Sequence, residues 1–470
     1  MTMERYDVAI IGAGMSGLTA GIRAAHFGKK VVILEQHNAP GGLNSFYAKD
    51  GRKYDVGLHA MTNFVPASER RAIFSKLLRQ LRIDRAELDL IEQKSSRIAF
   101  PNTDLRFSND EALLESEIER EFPSQIDGFR RLSETIRNYA DSDLEKPYQS
   151  AREWLRGFIT DPLLEDMLFC PLMYYGSSVE DDMDVGQFVI MFRSLLHEGF
   201  ARPVDGIRVL IRVVLDRYRK LGGIRKMKTE VKRLVVDAGK VSRIELASGD
   251  EIAAEVVLSC AGLPETYRLV EPSLGVETPA LEGRLAFAET ISVYQDLPET
   301  WGWGDDTIVF FNRTDRFSFR NPDTPIDLNS GVICLPSNFE YGDRKPDEGL
   351  VRVTCLANNR DWFEYSETNY AKAKEDWFAR IQSAILPMMP RPTRAYQGGL
   401  LATDMFTPKT VHRFTRRSRG AIYGSPNKIK DGRTPVDNLF LCGTDQGYLG
   451  IVGSMLSGVV IANQYVLKGG

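Results

Sequence analysis

The sequence predicts an α/β fold, in which a parallel sheet with flanking helices is combined with a region of helices and antiparallel strands. Near the start of the chain, a β-branched run at residues 6–11 leads into a glycine turn and a helical stretch. Near its end, the short apolar run 438–442 also leads into a glycine and then into an uncharged, small-residue stretch. Between them, residues 285–400 carry several short strand-like runs, which favour an antiparallel sheet.

The first of these elements carries a phosphate-binding pattern. Gly12 permits a tight turn, Gly14 lets the backbone approach a pyrophosphate, and Gly17 lets the helix pack close to the strand. The helix N-terminus offers free N–H groups and a partial positive charge to the phosphates. We therefore expect a Rossmann-like, dinucleotide-binding domain. The residues expected to contact the dinucleotide in this turn are Gly12, Ala13, Gly14, Met15, Ser16 and Gly17.

A second apolar strand, predicted at residues 30–34, ends at an acidic residue. Glu35 lies about 20 residues beyond the glycine pattern, where a carboxylate can accept hydrogen bonds from a ribose diol. Its neighbour Gln36 is expected on the same part of the site. NAD and FAD share the adenosine diphosphate half, so this pattern alone leaves the choice of dinucleotide open.

Composition and charge exclude several classes of protein. The 470 residues suggest two or three structural units. The chain has 60 Lys and Arg against 64 Asp and Glu, a net charge of −4, and this balance gives no indication of a nucleic-acid partner. The five cysteines lack a Cys-x-x-Cys pair, which favours a reducing compartment, and the five histidines are dispersed, so no metal site is expected.

Two glycine-containing segments resemble the flavin amine oxidase and phytoene desaturase superfamily. Residues 41–44, Gly-Gly-Leu-Asn, are similar to its second glycine pair, and residues 54–59, Tyr-Asp-Val-Gly-Leu-His, look like its "FDxGxH" strand. In that superfamily these segments run beside the phosphates and the flavin ring of FAD. The resemblance therefore implies FAD as the cofactor. It implies FAD contacts from Gly41, Gly42, Leu43, Asn44, Gly57, Leu58 and His59.

The resemblance continues in the middle and at the end of the chain. A strand around Val231 and the stretch 256–262, which includes Ala261, are similar to the family's adenine strand and return strand. Residues 438–458 look like its C-terminal signature. There, Asp445 is expected to meet a ribityl or phosphate group, and a helix from Gly450 to point its N-terminus at the flavin. The expected FAD contacts in this part are Val231, Ala261, Gly443, Thr444, Asp445, Gly450, Ile451 and Val452.

Together these segments predict a Rossmann-like FAD-binding domain with an inserted α+β substrate domain. The FAD-binding domain is expected to comprise residues 1–64, 203–284 and 405–470. A mostly helical insertion is expected at 65–202, and a substrate domain with an antiparallel sheet at 285–404.

The nearest resemblance is to the branch of carotenoid desaturases and isomerases, hydroxysqualene dehydroxylases and retinol saturases. The segment 407–424 is similar to that branch's "TP.T..R…G..YG" pattern. The resemblance implies a lipophilic, polyisoprenoid substrate and hydride exchange between an allylic carbon and flavin N5. It leaves desaturation, saturation and isomerisation open, and with no second dinucleotide pattern the expected electron acceptor is oxygen or a quinone.

Such chemistry leaves little for acid–base residues to do, and His59 is the one candidate catalytic residue. It can carry a proton near the flavin, or it can be a structural histidine bonded to the backbone; both interpretations remain open. Two other functions also remain open. One is an amine oxidase-like enzyme, for which Tyr448 would contribute to an aromatic cage. The other is a non-catalytic prenyl-protein chaperone of the same fold.

We expect a cytoplasmic protein, and peripheral contact with the inner face of a membrane is an open alternative. Residues 73–82 form a basic amphipathic helix, which suits either a membrane surface or an ordinary protein surface. The uncharged stretch 446–467 is long enough to span a bilayer, but its many small residues favour a closely packed internal helix. The aromatic runs 169–176 and 188–196 can line a hydrocarbon channel or form core helices.

Overall fold

The computed structural model describes residues 3–57, 60–139, 147–389 and 399–468, which form two sheets with helices around them. Its strands are β1 Glu4–Ile11, β2 Val31–Glu35, β3 Phe46–Lys49, β4 Arg52–Asp55, β5 Leu90–Glu92, β6 Ser95–Phe100, β7 Thr103–Phe107, β8 Ala201–Pro203, β9 Ile224–Met227, β10 Val231–Asp237, β11 Lys240–Leu246, β12 Glu251–Ser259, β13 Val270–Glu271, β14 Ala286–Tyr294, β15 Asp306–Asn312, β16 Ser330–Cys334, β17 Gly349–Ala357, β18 Leu400–Phe406 and β19 Leu439–Leu441. Its α-helices are α1 Met15–His26, α2 Ile73–Leu81, α3 Glu111–Glu121, α4 Ile126–Asn138, α5 Ala151–Leu155, α6 Pro162–Gly176, α7 Val185–Phe192, α8 Ile207–Lys220, α9 Leu263–Leu269, α10 Asp361–Glu364, α11 Glu367–Ile385, α12 Pro408–Thr415 and α13 Gly450–Ile461.

The first sheet joins the two ends of the chain. Its strand order is β13-β10-β11-β12-β1-β2-β9, and β19 pairs in parallel with the end of β12. The strand β1 lies parallel between β12 and β2, with Ile10 opposite Leu258 on one side and Ile33 on the other. The carboxyl ends of β1, β12 and β19 therefore meet at one edge of the sheet, which is where ligands bind in folds of this kind.

The central strands of this sheet are buried on both faces, as parallel strands usually are. Val8 and Ile10 pack on one side in a core that includes α1, α8 and α13. Ala9 and Ile11 face a second core on the other side. The continuous apolar run that predicted β1 thus reflects burial from two directions.

The second sheet has the order β18-β14-β17-β16-β15-β6-β7, and its pairs are antiparallel except β15 with β6. The antiparallel prediction for residues 285–400 is therefore confirmed. Residues 65–202 contain α2 to α7, and the hairpin of β6 and β7 within this range extends the second sheet. Ile98, Phe100, Leu105 and Phe107 are buried at alternate positions on either side of a turn at Asn102, where φ is 64°.

Two helices whose sequences would also suit contact with a membrane pack against other parts of the protein. The residues Phe74, Leu77, Leu78 and Leu81 of α2 are buried in the core of the first sheet, so its apolar face contacts protein. The helix α13, with its continuation to Leu467, is long and apolar enough to cross a bilayer, and half of that window is buried. Thr19 Oγ1 of α1 donates to the Met455 carbonyl of α13 at 2.9 Å.

The small residues of α13 have a direct structural reason. A Cβ atom at Gly458 would lie 2.2 Å from the carbonyl oxygen of Ser16 and 2.3 Å from Thr19 Oγ1. Only glycine therefore allows α13 to approach α1 this closely. The two helices follow the glycine turns at the two ends of the chain, so their contact fixes both turns against each other.

Candidate functional site

A cavity of about 1640 Å³ lies between the carboxyl edge of the first sheet and one face of the second. Part of its wall is the glycine-rich edge of the first sheet, and part is an aromatic surface on the second sheet and α6. The volume exceeds that of most small-molecule pockets, so it suits two ligands or one very long one. The predicted FAD contacts on its wall are Gly12, Gly14, Met15, Ser16, Glu35, Gln36, Gly41, Gly42, Leu43, Asn44, Gly57, Val231, Ala261, Thr444, Gly450 and Ile451.

The turn between β1 and α1 has the backbone that a phosphate cradle requires. Gly12 has a φ of 100°, which favours glycine. A Cβ atom at Gly17 would lie 2.1 Å from the Gly12 carbonyl oxygen, so only glycine lets α1 begin this close to the turn. A Cβ atom at Gly14 would meet no described protein atom within 4 Å and would project into the cavity. Open space at this position is what a closely approaching ligand needs.

Glu35 ends β2 with its carboxylate fixed at the wall. Its Oε2 accepts a hydrogen bond from the Ala13 N–H at 2.8 Å, and its Oε1 accepts one from the His37 N–H at 2.8 Å. These bonds orient both oxygens, and a carboxylate can still accept further donors such as ribose hydroxyls. Ala13 itself does not lie on the described wall, and its N–H serves Glu35 instead.

The second glycine pair lies directly against the first. The Gly41 N–H donates to the Ala13 carbonyl at 2.9 Å, and Gly41 forms a bridge with Gly14. Gly57 follows β4 and approaches the carbonyl of Leu43, where a Cβ atom would be 2.8 Å away. The predicted contacts Leu58 and His59, and with them the candidate catalytic histidine, lie outside the described residues.

The wall near Val231 and Ala261 contains an acid that the sequence patterns did not single out. Glu265 Oε1 accepts the Ser418 N–H at 2.7 Å, while its buried Oε2 has no hydrogen-bond partner among the described residues. Glu265 lines the cavity beside the return strand β12. A buried carboxylate oxygen with no partner among the described residues can accept a hydrogen bond from a bound ligand.

At the C-terminal signature the structure separates wall residues from supporting ones. Thr444, Gly450 and Ile451 line the cavity, whereas the described wall does not include Gly443, Asp445 or Val452. The Gly443 N–H donates to Ser457 Oγ at 2.6 Å. These residues therefore support the wall from behind.

Asp445 does not lie on the described wall, and both of its oxygens have hydrogen-bond partners inside the protein. They accept the N–H groups of Leu263 at 2.6 Å and Ser425 at 2.8 Å, and Arg417 lies 3.3 Å away. Burial would raise the pKa of Asp445, but Arg417, Lys428 and these N–H groups hold it below its usual value. Burial lowers the pKa of Lys428 to about 8, against the attraction of Asp445. Asp445 thus joins three segments behind the cavity wall.

Aromatic rings from three segments form the apolar part of the wall. Tyr174 of α6 stacks on Phe287 of β14 with ring centroids 5.7 Å apart, and Tyr423 meets Phe287 edge-on at 5.8 Å. The Tyr423 hydroxyl donates to the Tyr174 carbonyl, which ties the rings together. Of the aromatic runs with two open interpretations, residues 174 and 175 line the cavity, while Phe169, Phe188 and Phe192 belong to the core.

The part of the wall formed by α12 and β3 is cationic and partly exposed. Its basic residues outnumber its acids, and α12 also presents Phe414, which is 46% exposed. Phe414 meets the His37 ring edge-on at 5.1 Å, which places α12 beside the end of β2. This surface, the cationic rim, comprises Lys49, Lys374, Lys409, Arg413, Arg416 and Phe414.

The fit of the site to FAD rests on these local features. Gly14 and Gly450 leave open space at the wall, Glu35 has both carboxylate oxygens oriented by backbone N–H groups, and Glu265 has an oxygen with no partner among the described residues. The wall offers backbone N–H groups as donors and carboxylates as acceptors, which suit a dinucleotide. Among the described residues, no group of three or more His, Cys, Asp or Glu side chains could hold a metal ion.

The chain is similar to known proteins in sequence and in fold. Residues 15–464 match the family described as flavin containing amine oxidoreductase. The chain is 23% identical to the chloroplastic prolycopene isomerase of Daucus carota, over 98% of this chain and 80% of that one. It is 22% identical to the human all-trans-retinol 13,14-reductase, over 99% and 86%. A triple mutant of putrescine oxidase has a similar fold, with a TM-score of 0.66, 15% identity and coverage of 99% and 100%.

Proposed function

The chain belongs to the family of flavin containing amine oxidoreductases and is an FAD-dependent oxidoreductase, and on this premise we propose that its substrate is a long, apolar polyisoprenoid. The reaction is desaturation, saturation or isomerisation. The observation that carries this proposal is the continuous cavity that joins the phosphate cradle to an aromatic wall. The relatives named for prolycopene and for retinol support a substrate of this class.

The residues that would hold FAD are among those that line the cavity. The turn at Gly12, Gly14 and Ser16 would receive the phosphates, Glu35 the ribose, and the start of α13 the flavin. When bound, FAD supplies hydride exchange at flavin N5 with an allylic carbon. The aromatic wall of Tyr174, Phe287 and Tyr423 would fix the chain of the substrate and exclude water.

The cavity favours this function over the two alternatives. Tyr448, the candidate for an aromatic cage, is not part of the described wall. A non-catalytic prenyl chaperone would have no use for the open cradle at Gly14 or for the fixed carboxylate of Glu35.

We further propose that the protein contacts a membrane surface through its cationic rim, and that oxygen or a quinone accepts its electrons. Arg413 and Arg416 are exposed on the same helix end as Phe414, so this surface combines positive charge with an apolar side chain. Such a combination binds anionic bilayers. A water-insoluble substrate could then enter the cavity from the lipid.

The decisive experiment uses the purified full chain. We expect a yellow protein with stoichiometric FAD, which changes its visible spectrum when isoprenoid lipids are added in vesicles containing phosphatidylserine. Product analysis with a panel of isoprenoids, under air and with a soluble quinone, identifies the reaction and the acceptor. A colourless protein would exclude the enzyme, and bleaching by simple amines with no response to isoprenoids would exclude the proposed substrate.

A further inference from the structure

Two cysteines lie side by side behind the phosphate cradle, one at the end of β12 and one at the end of β19. These strands pair in parallel as far as Ser259 and Leu441, and Cys260 and Cys442 are the next residues along each strand. The Cys442 N–H donates to the Ser259 carbonyl at 2.9 Å, so the pairing extends to this point. Neighbouring strands lie about 4.8 Å apart, and a disulfide can join Cα atoms at such a separation.

The two thiols contact each other. A hydrogen bond from Cys442 lowers the pKa of the Cys260 thiol, and a second one from Ser16 adds to this effect, although burial opposes it. Cys442 Sγ also accepts a hydrogen bond from Ser457 Oγ of α13 at 3.8 Å. Cys260 therefore has the greater tendency to ionise, and the thiolate is the nucleophilic form of cysteine.

Cys260 is the cysteine that a small molecule in the cavity can reach. It is partly exposed, it lines the cavity, and a Cβ atom at Gly12 would lie 3.5 Å from its own Cβ. The other four cysteines are buried, and burial raises the pKa of Cys170, Cys334 and Cys355. An accessible thiol with a lowered pKa and a second thiol in contact is the arrangement found in redox-sensitive cysteine pairs.

We propose that Cys260 and Cys442 are a peroxide-reactive thiol pair that closes to a disulfide beside the phosphate cradle. The molecule that this site takes is a small hydroperoxide, and hydrogen peroxide is the simplest one. Hydrogen peroxide forms when oxygen takes two electrons and two protons from a reduced flavin, so it belongs to the proposed function with oxygen as the acceptor. The thiol pair itself does not depend on the isoprenoid substrate.

The reaction has two steps. The Cys260 thiolate attacks one oxygen of hydrogen peroxide, the O–O bond breaks, and the departing hydroxide takes up a proton to become water, which leaves a sulfenic acid on Cys260. Cys442 then attacks the Cys260 sulfur, an S–S bond forms, and the hydroxyl group leaves with the Cys442 proton as a second water. In sum, two thiols lose two electrons and form a disulfide, and one peroxide is reduced to two waters.

The test exposes the purified chain to a small excess of hydrogen peroxide after full reduction and removal of the reductant. It is run on the FAD-loaded protein and on the protein after FAD removal, and peptide mass spectrometry under denaturing conditions locates free and linked cysteines. We expect the loss of two free thiols and a link between Cys260 and Cys442 that dithiothreitol reverses, while Cys170, Cys334 and Cys355 stay reduced. The FAD-free protein should react faster, because FAD on the cradle would cover Cys260.

Three variants separate the roles of the two cysteines. Cys442→Ser keeps a hydroxyl donor beside Cys260 but cannot close the disulfide, so dimedone should trap a sulfenic acid on Cys260. Cys260→Ser should leave Cys442 reduced, because Cys442 is buried and does not line the described cavity wall. Cys355→Ala, which removes a buried thiol of β17, is the matched control and should still form the link. Circular dichroism checks that each variant is folded.

The outcomes are distinguishable from those that test the proposed function. An unchanged thiol count in both forms of the protein, a link between other cysteines, or oxidation of Cys260 alone in the wild type overturns the thiol pair. A Cys442→Ser variant that dimedone does not label overturns it as well. Because the readout uses added peroxide and no isoprenoid, the disulfide can form even where every isoprenoid fails to bind, and its absence leaves the proposed function in place.

Discussion

The two parts of the cavity wall are built in different ways. The first-sheet part uses backbone groups and missing side chains, as at Gly12, Gly14 and Gly17, all within one turn. The second-sheet part uses side chains such as Glu289 and Thr354, which come from strands far apart in the sequence. A ligand on the first part is recognised by the path of the chain, and a ligand on the second by the chemistry of individual residues.

Because of this difference, different substitutions should impair ligand binding at the two parts of the wall. Adding atoms should damage the first part most, because its function is open space. Exchanging or removing polar atoms should damage the second part most, because its function is a balanced group of charges.

The largest effect is expected from Gly14→Val. Its side chain would fill the open space that the proposed function assigns to the pyrophosphate, so the purified variant should be colourless. A Cβ atom at this position meets no described protein atom within 4 Å, so the fold should survive. The measurement is the flavin absorbance per protein, with circular dichroism as the control for folding and Gly14→Ala as the graded variant. Stoichiometric FAD in Gly14→Val would show that the cradle binds something else.

The next effect concerns the second part of the wall. Arg352→Met removes the guanidinium that bonds the buried Glu289 carboxylate, which should lower the free energy of unfolding by about 3–5 kcal/mol. Adding Glu289→Gln should restore most of that loss, because no unpaired charge remains. Chemical denaturation of the wild type, the two single variants and the double variant measures this cycle. Additive losses would mean that the two side chains do not form the buried pair described above.

A smaller effect is expected at Glu35. Glu35→Ala should weaken FAD binding by about 1–3 kcal/mol, the scale of losing hydrogen bonds to a charged group. Glu230→Ala is the matched control, since Glu230 is an exposed carboxylate on the same wall. Titration of cofactor-depleted protein with FAD measures both. Equal affinity in Glu35→Ala and wild type would show that Glu35 is not the ribose ligand.

A fourth expected effect is a pH dependence of stability in the core around α7. Burial lowers the pKa of His197 to about 3, with Arg137 and Arg193 adding to the shift. In the unfolded chain its pKa is about 6.5, so the unfolded state binds a proton that the folded state excludes. Stability should therefore fall as the pH drops from about 6.5 towards 3.

His197→Asn should make the melting temperature less sensitive to pH over this interval, while Ser133, which lies 2.9 Å from His197 Nε2, keeps a polar neighbour. His26, on the partly exposed end of α1, provides the matched control variant His26→Asn. The same pH response in His197→Asn and wild type would place the sensitivity elsewhere.

The contrast between the two walls also explains how much the sequence could predict. The strand, turn and helix at residues 4–26 and the helix from Gly450 were predictable, because local glycine and apolar patterns fix the backbone there. Glu289 was not, since its role depends on Arg352 and Thr354, which become its neighbours only when β14 pairs with β17. The hairpin of β6 and β7 was missed although its alternating apolar residues are visible in the sequence.

Asp445 is a residue that the sequence pattern identified but whose role the pattern could not predict. Its signature was visible, but the pattern could not distinguish an acid that meets a ligand from one that joins Leu263, Ser425 and Arg417 behind the wall. Only the positions of those three partners, which come from three different segments, separate the two roles. Which groups satisfy a buried carboxylate is a property of the assembled fold.

The contact between α1 and α13 has a consequence for biosynthesis. Gly458 rests on Ser16 and Thr19, so the turn that begins with Gly12 gains its support from residues that the ribosome adds more than four hundred positions later. During translation the N-terminal half therefore lacks the contact between α1 and α13. We expect tight flavin binding only once α13 has packed on α1, and a polypeptide truncated before α13 should not retain flavin.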